Sequence, residues 1–295
     1  MAFADHGHLE VAGYPAAHAN SLGCLTMRIA RFLDSAGIAH YGIVRDSELE
    51  VIEGCLLGSW KPSGITLPLD MTRLLSPVEP ANILCLGKNY RAFAGETNPQ
   101  FPKQPLLFLK TSTSVIGNSQ PICLPAMAPD QVYFEAELAV VIGRPARNIV
   151  QKDAHEFILG YTVANDVGAK DCQAADGQWA RAKSFDTFCP LGPWIETELD
   201  PGNCRICARV DGELVQDSNT ALMIFDVAQV VAFLSRCMTL VPGTVICMGS
   251  PGVLREPRPF LRPDQIVEAE INGIGILSNP VKMEPSEACL RGGDF

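Results

Sequence analysis

The sequence predicts an α+β fold in which short strands outnumber helices. Three observations carry that prediction. Apolar segments are short and bounded by Gly, Pro, Asn and Asp. Two dipeptides, Asp211-Gly212 and Asn272-Gly273, mark tight hairpin turns. No strand-helix-strand alternation appears that would build parallel βαβ units, and no internal repeat is found.

Residues 1–24 are rich in Ala, Gly and His without periodicity and read as a flexible N-terminal extension. Segments 27–32, 39–44 and 49–52 read as a small antiparallel sheet, with 45–47 in a turn. They define a small N-terminal β domain over 25–80, whose end is punctuated by Pro62, Pro68, Pro77 and Pro80. The main domain is expected over 81–283, with 284–295 as a C-terminal tail. Within it, 83–86, 106–109, 134–142, 161–164, 193–196 and 245–248 read as strands. Segments 89–96, 153–159 and 167–176 read as helices. Asp226 is placed to cap a helix reaching about Cys237, with Val227, Val230, Val231 and Leu234 on one face. Strands 207–210 and 213–216 flank Asp211-Gly212, and 266–271 pairs with 274–277 across Asn272-Gly273.

The chain has 295 residues, 47% of them hydrophobic and 19% charged, enough to bury a full core and too apolar for a disordered chain. The longest apolar runs are too short to span a bilayer. Net charge is −10 and the 23 basic residues form no cluster, which argues against nucleic acid as a partner. The eleven cysteines are expected to be reduced and packed as small apolar residues, since Cys204-x-x-Cys207 has no second pair to complete a zinc site. No Lys or Arg precedes Arg28, so no secretory or mitochondrial leader is expected and the cytosol is the expected compartment.

The most informative segment is Tyr133-Phe134-Glu135-Ala136-Glu137-Leu138-Ala139-Val140-Val141-Ile142. Residues two apart on a strand share a face, so Glu135 and Glu137 point together, and their face continues as Ala139 and Val141. The other face is apolar as well. Glu268-x-Glu270 is the internal contrast, because there the acids alternate with an apolar face and read as a solvated side of a hairpin. Two like charges in a dry place either share a proton or gather a cation, and an all-oxygen set suits Mg²⁺, Mn²⁺ or Ca²⁺. Asp166 follows at the end of another strand, where a helix cap is the competing role. Lys170, Gln173 and Lys183 come next, the last among small and apolar neighbours.

With these residues assembled, the chain resembles the fumarylacetoacetate hydrolase family. The matching run is Cys85-Leu86-Gly87-Lys88-Asn89-Tyr90, Pro105–Lys110, Glu135-x-Glu137, Gly160–Val167, Lys183-Ser184-Phe185-Asp186 and Glu270–Gly275, in order and at family-like spacing over about 26–282. The resemblance implies a mixed β-roll or sandwich catalytic domain, a homodimer, and a divalent metal held by Glu135, Glu137 and Asp166. It assigns Lys183 and Glu96 to catalysis, the latter on a lid over 89–105. It assigns Lys170, Gln173, Tyr90 and Ser250 to the substrate. Two positions depart from the family pattern. Phe93 stands where relatives often have a lid histidine, and 248–252 is one residue shorter than the usual threonine-rich loop. The implied substrate is a 2-oxo or 1,3-dicarbonyl acid that chelates the metal. The first functional expectation is a C–C hydrolase of acylpyruvate type, followed by a decarboxylase or enol–keto isomerase on the same scaffold, and then by a non-catalytic binding protein.

Overall fold

The computed structural model describes residues 27–91 and 101–284. The expected extension at 1–24, most of the lid including Phe93 and Glu96, and most of the tail at 284–295 lie outside the described residues.

Strands dominate, as the segment pattern implies. The larger sheet runs in the order Trp60–Pro68, Glu48–Gly54, Ala39–Arg45, Arg28–Leu33, Cys189–Glu196, Ile158–Asn165, Ala136–Ile142, Val245–Cys247, Ile83–Gly87, Leu106–Lys110. The N-terminal strands thus continue the main sheet through the pairing of Arg28 with Glu196, rather than forming a separate sheet. A second sheet orders Glu213–Asn219, Arg205–Val210, Ile266–Ile271, Gly275–Met283 and Ile122–Leu124. Both predicted hairpins are present, and Asp211 adopts φ 51° with Gly212 at φ 80°, the left-handed pair a tight hairpin turn requires.

Ala136–Ile142 is the buried centre: every residue in it is buried. Ala136, Leu138, Val140 and Ile142 pack towards the second sheet with Ala208, Val267 and Leu277, and Ala139 and Val141 pack on the opposite side with Cys85, Ala164 and Cys247. The two-sided burial expected from its sequence is what the fold delivers. Glu135 lies just before the strand instead of within it.

Two local expectations need correction, and one strand stands where no element is expected. The strand Trp60–Pro68 carries two prolines and is nevertheless a strand, because it is the sheet's last strand and its free side needs no donors. The helix expected from 167 begins only at Lys170, since Gly168–Ala169 pairs with Val132–Tyr133. Asn89–Arg91 is not helical; the Asn89 side chain is clamped by Met248 O, Phe225 O and the Phe225 amide. The helix Val227–Cys237 has the predicted Asp226 cap, completed as a capping box by Gln229. No helix among the described residues is long and apolar enough to cross a membrane.

Candidate metal and substrate site

Antiparallel register assembles the site. Ala136 faces Asn165 and Glu137 faces Ala164, so the residues flanking these pairs, Glu135 and Asp166, meet at the same end of the two strands. Two bonds lock the approach: Asp166 N donates to Glu135 O at 2.8 Å, and Glu135 N donates to Asn165 Oδ1 at 3.1 Å. One carboxylate oxygen from each of Glu135, Glu137 and Asp166 lies within 4.8 Å of the others. Asp166 caps no helix, because the following helix has Ala169 at its N-cap.

Three carboxylates this close repel by about 3 kcal/mol per pair at an effective dielectric of about 20, so a bare trio needs cations. Lys183 Nζ donates to Glu135 Oε2 at 2.8 Å and to Asp166 Oδ2. Lys110 Nζ donates to Asp166 Oδ1 at 2.5 Å and to the Val167 carbonyl at 3.0 Å. Arg258 Nη1 donates to Glu135 Oε1 at 2.9 Å. Glu137 is treated differently. Its one hydrogen bond among the described residues comes from Gly249 N, at 2.9 Å.

The titrations follow this asymmetry. Burial, then the charges of Asp166 and Glu135, push the Glu137 carboxyl well above the usual range, against Lys183 and the Gly249 amide. Burial also pushes Asp166 upward, but Lys110 and Lys183 outweigh it and hold its carboxyl below the usual value. Burial alone would lower Lys183, yet Asp166 and Glu135 hold it well above an ordinary lysine. Lys183 is therefore held as an ammonium beside the metal-free acids. In that form it can donate a hydrogen bond and stabilise negative charge.

The carboxylates open onto a cavity of about 490 Å³. Lys170 and Lys88 are exposed at its mouth, and Gln173, Lys183 and Ser250 line it. Phe108 and Trp179 form an edge-to-face wall, 5.0 Å between centroids, and Lys183 Nζ lies 4.8 Å from the Tyr133 ring centre. Gly87 permits this wall: a Cβ there would sit 2.6 Å from the Trp179 ring. Tyr133 Oη is 3.2 Å from Gln173 Oε1, and burial pushes its phenol up to about 12. Donating there, Tyr133 leaves the Gln173 amide N–H groups for a ligand.

One expected substrate residue is placed otherwise, and another reaches the cavity with its proton already engaged. Tyr90 does not line the cavity. Its backbone bridges to Met223, its ring joins the core, and its hydroxyl is buried with no hydrogen-bond partner. Ser250 reaches the cavity, but its hydroxyl is committed, accepting from Gln216 Nε2 at 2.9 Å and donating to Pro251 O at 3.0 Å. Glu96 lies outside the described residues.

Lys110, Arg258 and Gln216 were given no role by sequence reasoning. Gln216 is fully buried on the second sheet; it accepts from Ala136 N at 3.0 Å and donates to Pro251 O at 2.6 Å. Those two partners fix its amide orientation and tie the 249–251 loop to the strand that carries Glu137. A lysine ending an apolar strand run was the one available signal for Lys110. Nothing in the Pro-rich 255–263 stretch distinguishes Arg258.

The donor set fits a hard divalent cation. It is all oxygen, and the Glu137 carboxyl, pushed above its usual range chiefly by burial, forms no ion pair among the described residues, a place that a cation would fill.

Residues 82–282 match the fumarylacetoacetate (FAA) hydrolase C-terminal family, and residues 27–77 match an Rv2993c-like N-terminal family. The chain is 47% identical over 210 residues to an uncharacterized protein of Methanocaldococcus jannaschii, covering 71% of this chain and 86% of that one. It is 41% identical over 224 residues to the mitochondrial oxaloacetate tautomerase FAHD2A of Homo sapiens, covering 73% and 71%. A crystal structure of 2-hydroxyhepta-2,4-diene-1,7-dioate isomerase from Mycobacterium marinum superposes with TM-score 0.80 at 38% identity, over 88% of this chain and all of that one.

Proposed function

The chain belongs to the fumarylacetoacetate hydrolase family, and from that premise we propose that it is a divalent-metal-dependent enzyme interconverting the enol and keto forms of a 2-oxo acid with a second carboxylate. The observation that carries this reading is the fixed Lys183 ammonium between two of three clustered carboxylates at the base of a cavity. Glu135, Glu137 and Asp166 would hold the cation, with Mg²⁺ first and Mn²⁺ or Ca²⁺ as alternatives. When bound, it supplies Lewis-acid polarisation of the substrate oxygens.

Lys183 donates to the oxygen on which negative charge develops as the proton beside the carbonyl leaves. Gln173 donates its amide N–H groups, and Lys170 and Lys88, which form no ion pair among the described residues, attract carboxylates to the mouth. Acylpyruvate hydrolysis needs a further group to activate water. Beyond the metal set, Glu256 is the one carboxylate lining the described cavity, and it is exposed and accepts from Arg258 N. Enol–keto exchange moves one proton out and back, and asks less of the site. Glu96 remains the proposed proton-transfer group. The names of relatives such as the human oxaloacetate tautomerase support the same reading.

The test follows enol-oxaloacetate absorbance with and without Mg²⁺, beside acylpyruvate cleavage and CO₂ release from oxaloacetate. Enol–keto exchange should be the fastest metal-dependent reaction, and Lys183→Met should slow it at least about 100-fold. Faster acylpyruvate cleavage or CO₂ release, or rates indifferent to a chelator, would overturn the proposal. The working unit is proposed as a homodimer, supported by Leu106 and Leu109, 43% and 54% exposed on the last strand of the larger sheet.

A further inference from the structure

Arg258 stands on an exposed stretch of chain, yet it is held at several points. Its Nη1 donates to Glu135 Oε1 at 2.9 Å and to the Phe134 carbonyl at 3.3 Å. Its guanidinium carbon lies 5.3 Å from the centre of the Tyr133 ring, and its backbone N–H donates to Glu256 Oε2 at 2.9 Å. The residue lines the cavity, and its Nε and Nη2 have no hydrogen-bond partner among the described residues. Nε–H and one Nη2–H lie parallel along one edge of the guanidinium, the edge that takes a carboxylate through two hydrogen bonds. Lys88 and Lys170 offer less: they are exposed point charges on flexible stems.

We infer that Arg258 reads the second carboxylate of the substrate through its Nε–Nη2 edge and so determines specificity. The assignment rests on the proposed dicarboxylic 2-oxo acid as substrate. Charge balance points the same way. Three carboxylates face the cations of Lys110, Lys183 and Arg258, so a divalent cation leaves the centre with two positive charges. With Lys88 and Lys170 at the mouth against Glu256, the cavity stays positive, and a dianion offsets more of that charge than a monoanion does. Because Glu135 and the Phe134 carbonyl engage Nη1 only, the second carboxylate can be received while that anchor stays in place.

The test compares two non-reacting probes on the Mg²⁺-loaded protein by titration calorimetry. Malate has a chelating 2-hydroxy acid head and a second carboxylate; 2-hydroxybutyrate has the same head and length without it. Arg258→Met should weaken malate at least tenfold and 2-hydroxybutyrate by less than twofold, without weakening Mg²⁺. Arg258→Lys should recover only part of the loss, because it restores the charge and not the fork. Equal weakening of both probes, unchanged malate binding, or weaker Mg²⁺ binding in Arg258→Met would overturn the assignment and leave Arg258 as a counter-ion of Glu135. If neither probe binds the parent protein, the dicarboxylic reading of the substrate falls first, and this assignment falls with it.

Discussion

Glu137 and Asp166 are both buried carboxylates a few ångströms apart, and their surroundings push them in opposite directions. Glu137 takes its proton more readily in the folded metal-free protein than in the unfolded chain. Its contribution to stability is therefore complete below its ordinary value of 4.5 and is lost as pH rises through the higher folded value. A cation must displace that proton, so Mg²⁺ affinity should rise as pH increases above the ordinary carboxylate value. Calorimetry in buffers of different ionisation enthalpy should record proton release on binding; an affinity indifferent to pH would remove Glu137 from the ligand set. Lys110→Met leaves Asp166 with one cation instead of two and should cost about 3–5 kcal/mol in urea unfolding. Gln216→Leu strands the Ala136 N–H, at about 1–3 kcal/mol, and leaves the Pro251 carbonyl with the Ser250 hydroxyl as its donor. The acids and Lys183 were legible because charged residues inside apolar runs demand a reason. Lys110, Gln216 and Arg258 were not, because their partners lie 56, 80 and 123 residues away in sequence.

Among the elements, local signals predicted best where the local chemistry is self-sufficient. The Asp226 capping box and both hairpin turns need nothing but their own neighbours. The 167–176 helix was over-extended because the pairing of Gly168–Ala169 with Val132–Tyr133 is a tertiary event invisible to periodicity. That pairing also frees Asp166 from any capping role and leaves its carboxylate to the lysines. The glycine ending Ile83–Gly87 belongs to the same level: Gly87→Ala should displace Trp179, whose ring would lie 2.6 Å from the new methyl carbon. A shift in tryptophan emission together with a raised KM, at little change in kcat, is the expected outcome. An unchanged KM would detach the Phe108–Trp179 wall from substrate binding.

For the whole molecule, one sheet runs from the N-terminal strands to Leu106–Lys110, and the trio of Glu135, Glu137 and Asp166 sits near its middle. If the exposed leucines on that last strand are covered by a second copy, light scattering should give a dimer, and Leu109→Asp should shift it towards monomer without unfolding it. Mg²⁺ at about 100 times its Kd should add about 2.7 kcal/mol of stability, removed by a chelator. The sequence by itself determined the strand-rich class, the order of the segments and the paired acids Glu135 and Glu137, because period, turn chemistry and misplaced charge are properties of neighbouring residues. That Asp166 joins them followed from the family resemblance. Only the tertiary structure decided which cations serve those acids, that Tyr90 belongs to the core, and that Ser250 spends its proton on its own loop. Burial and electrostatic pairing depend on which distant segments the sheets bring into register, and a carboxylate's protonation depends on both.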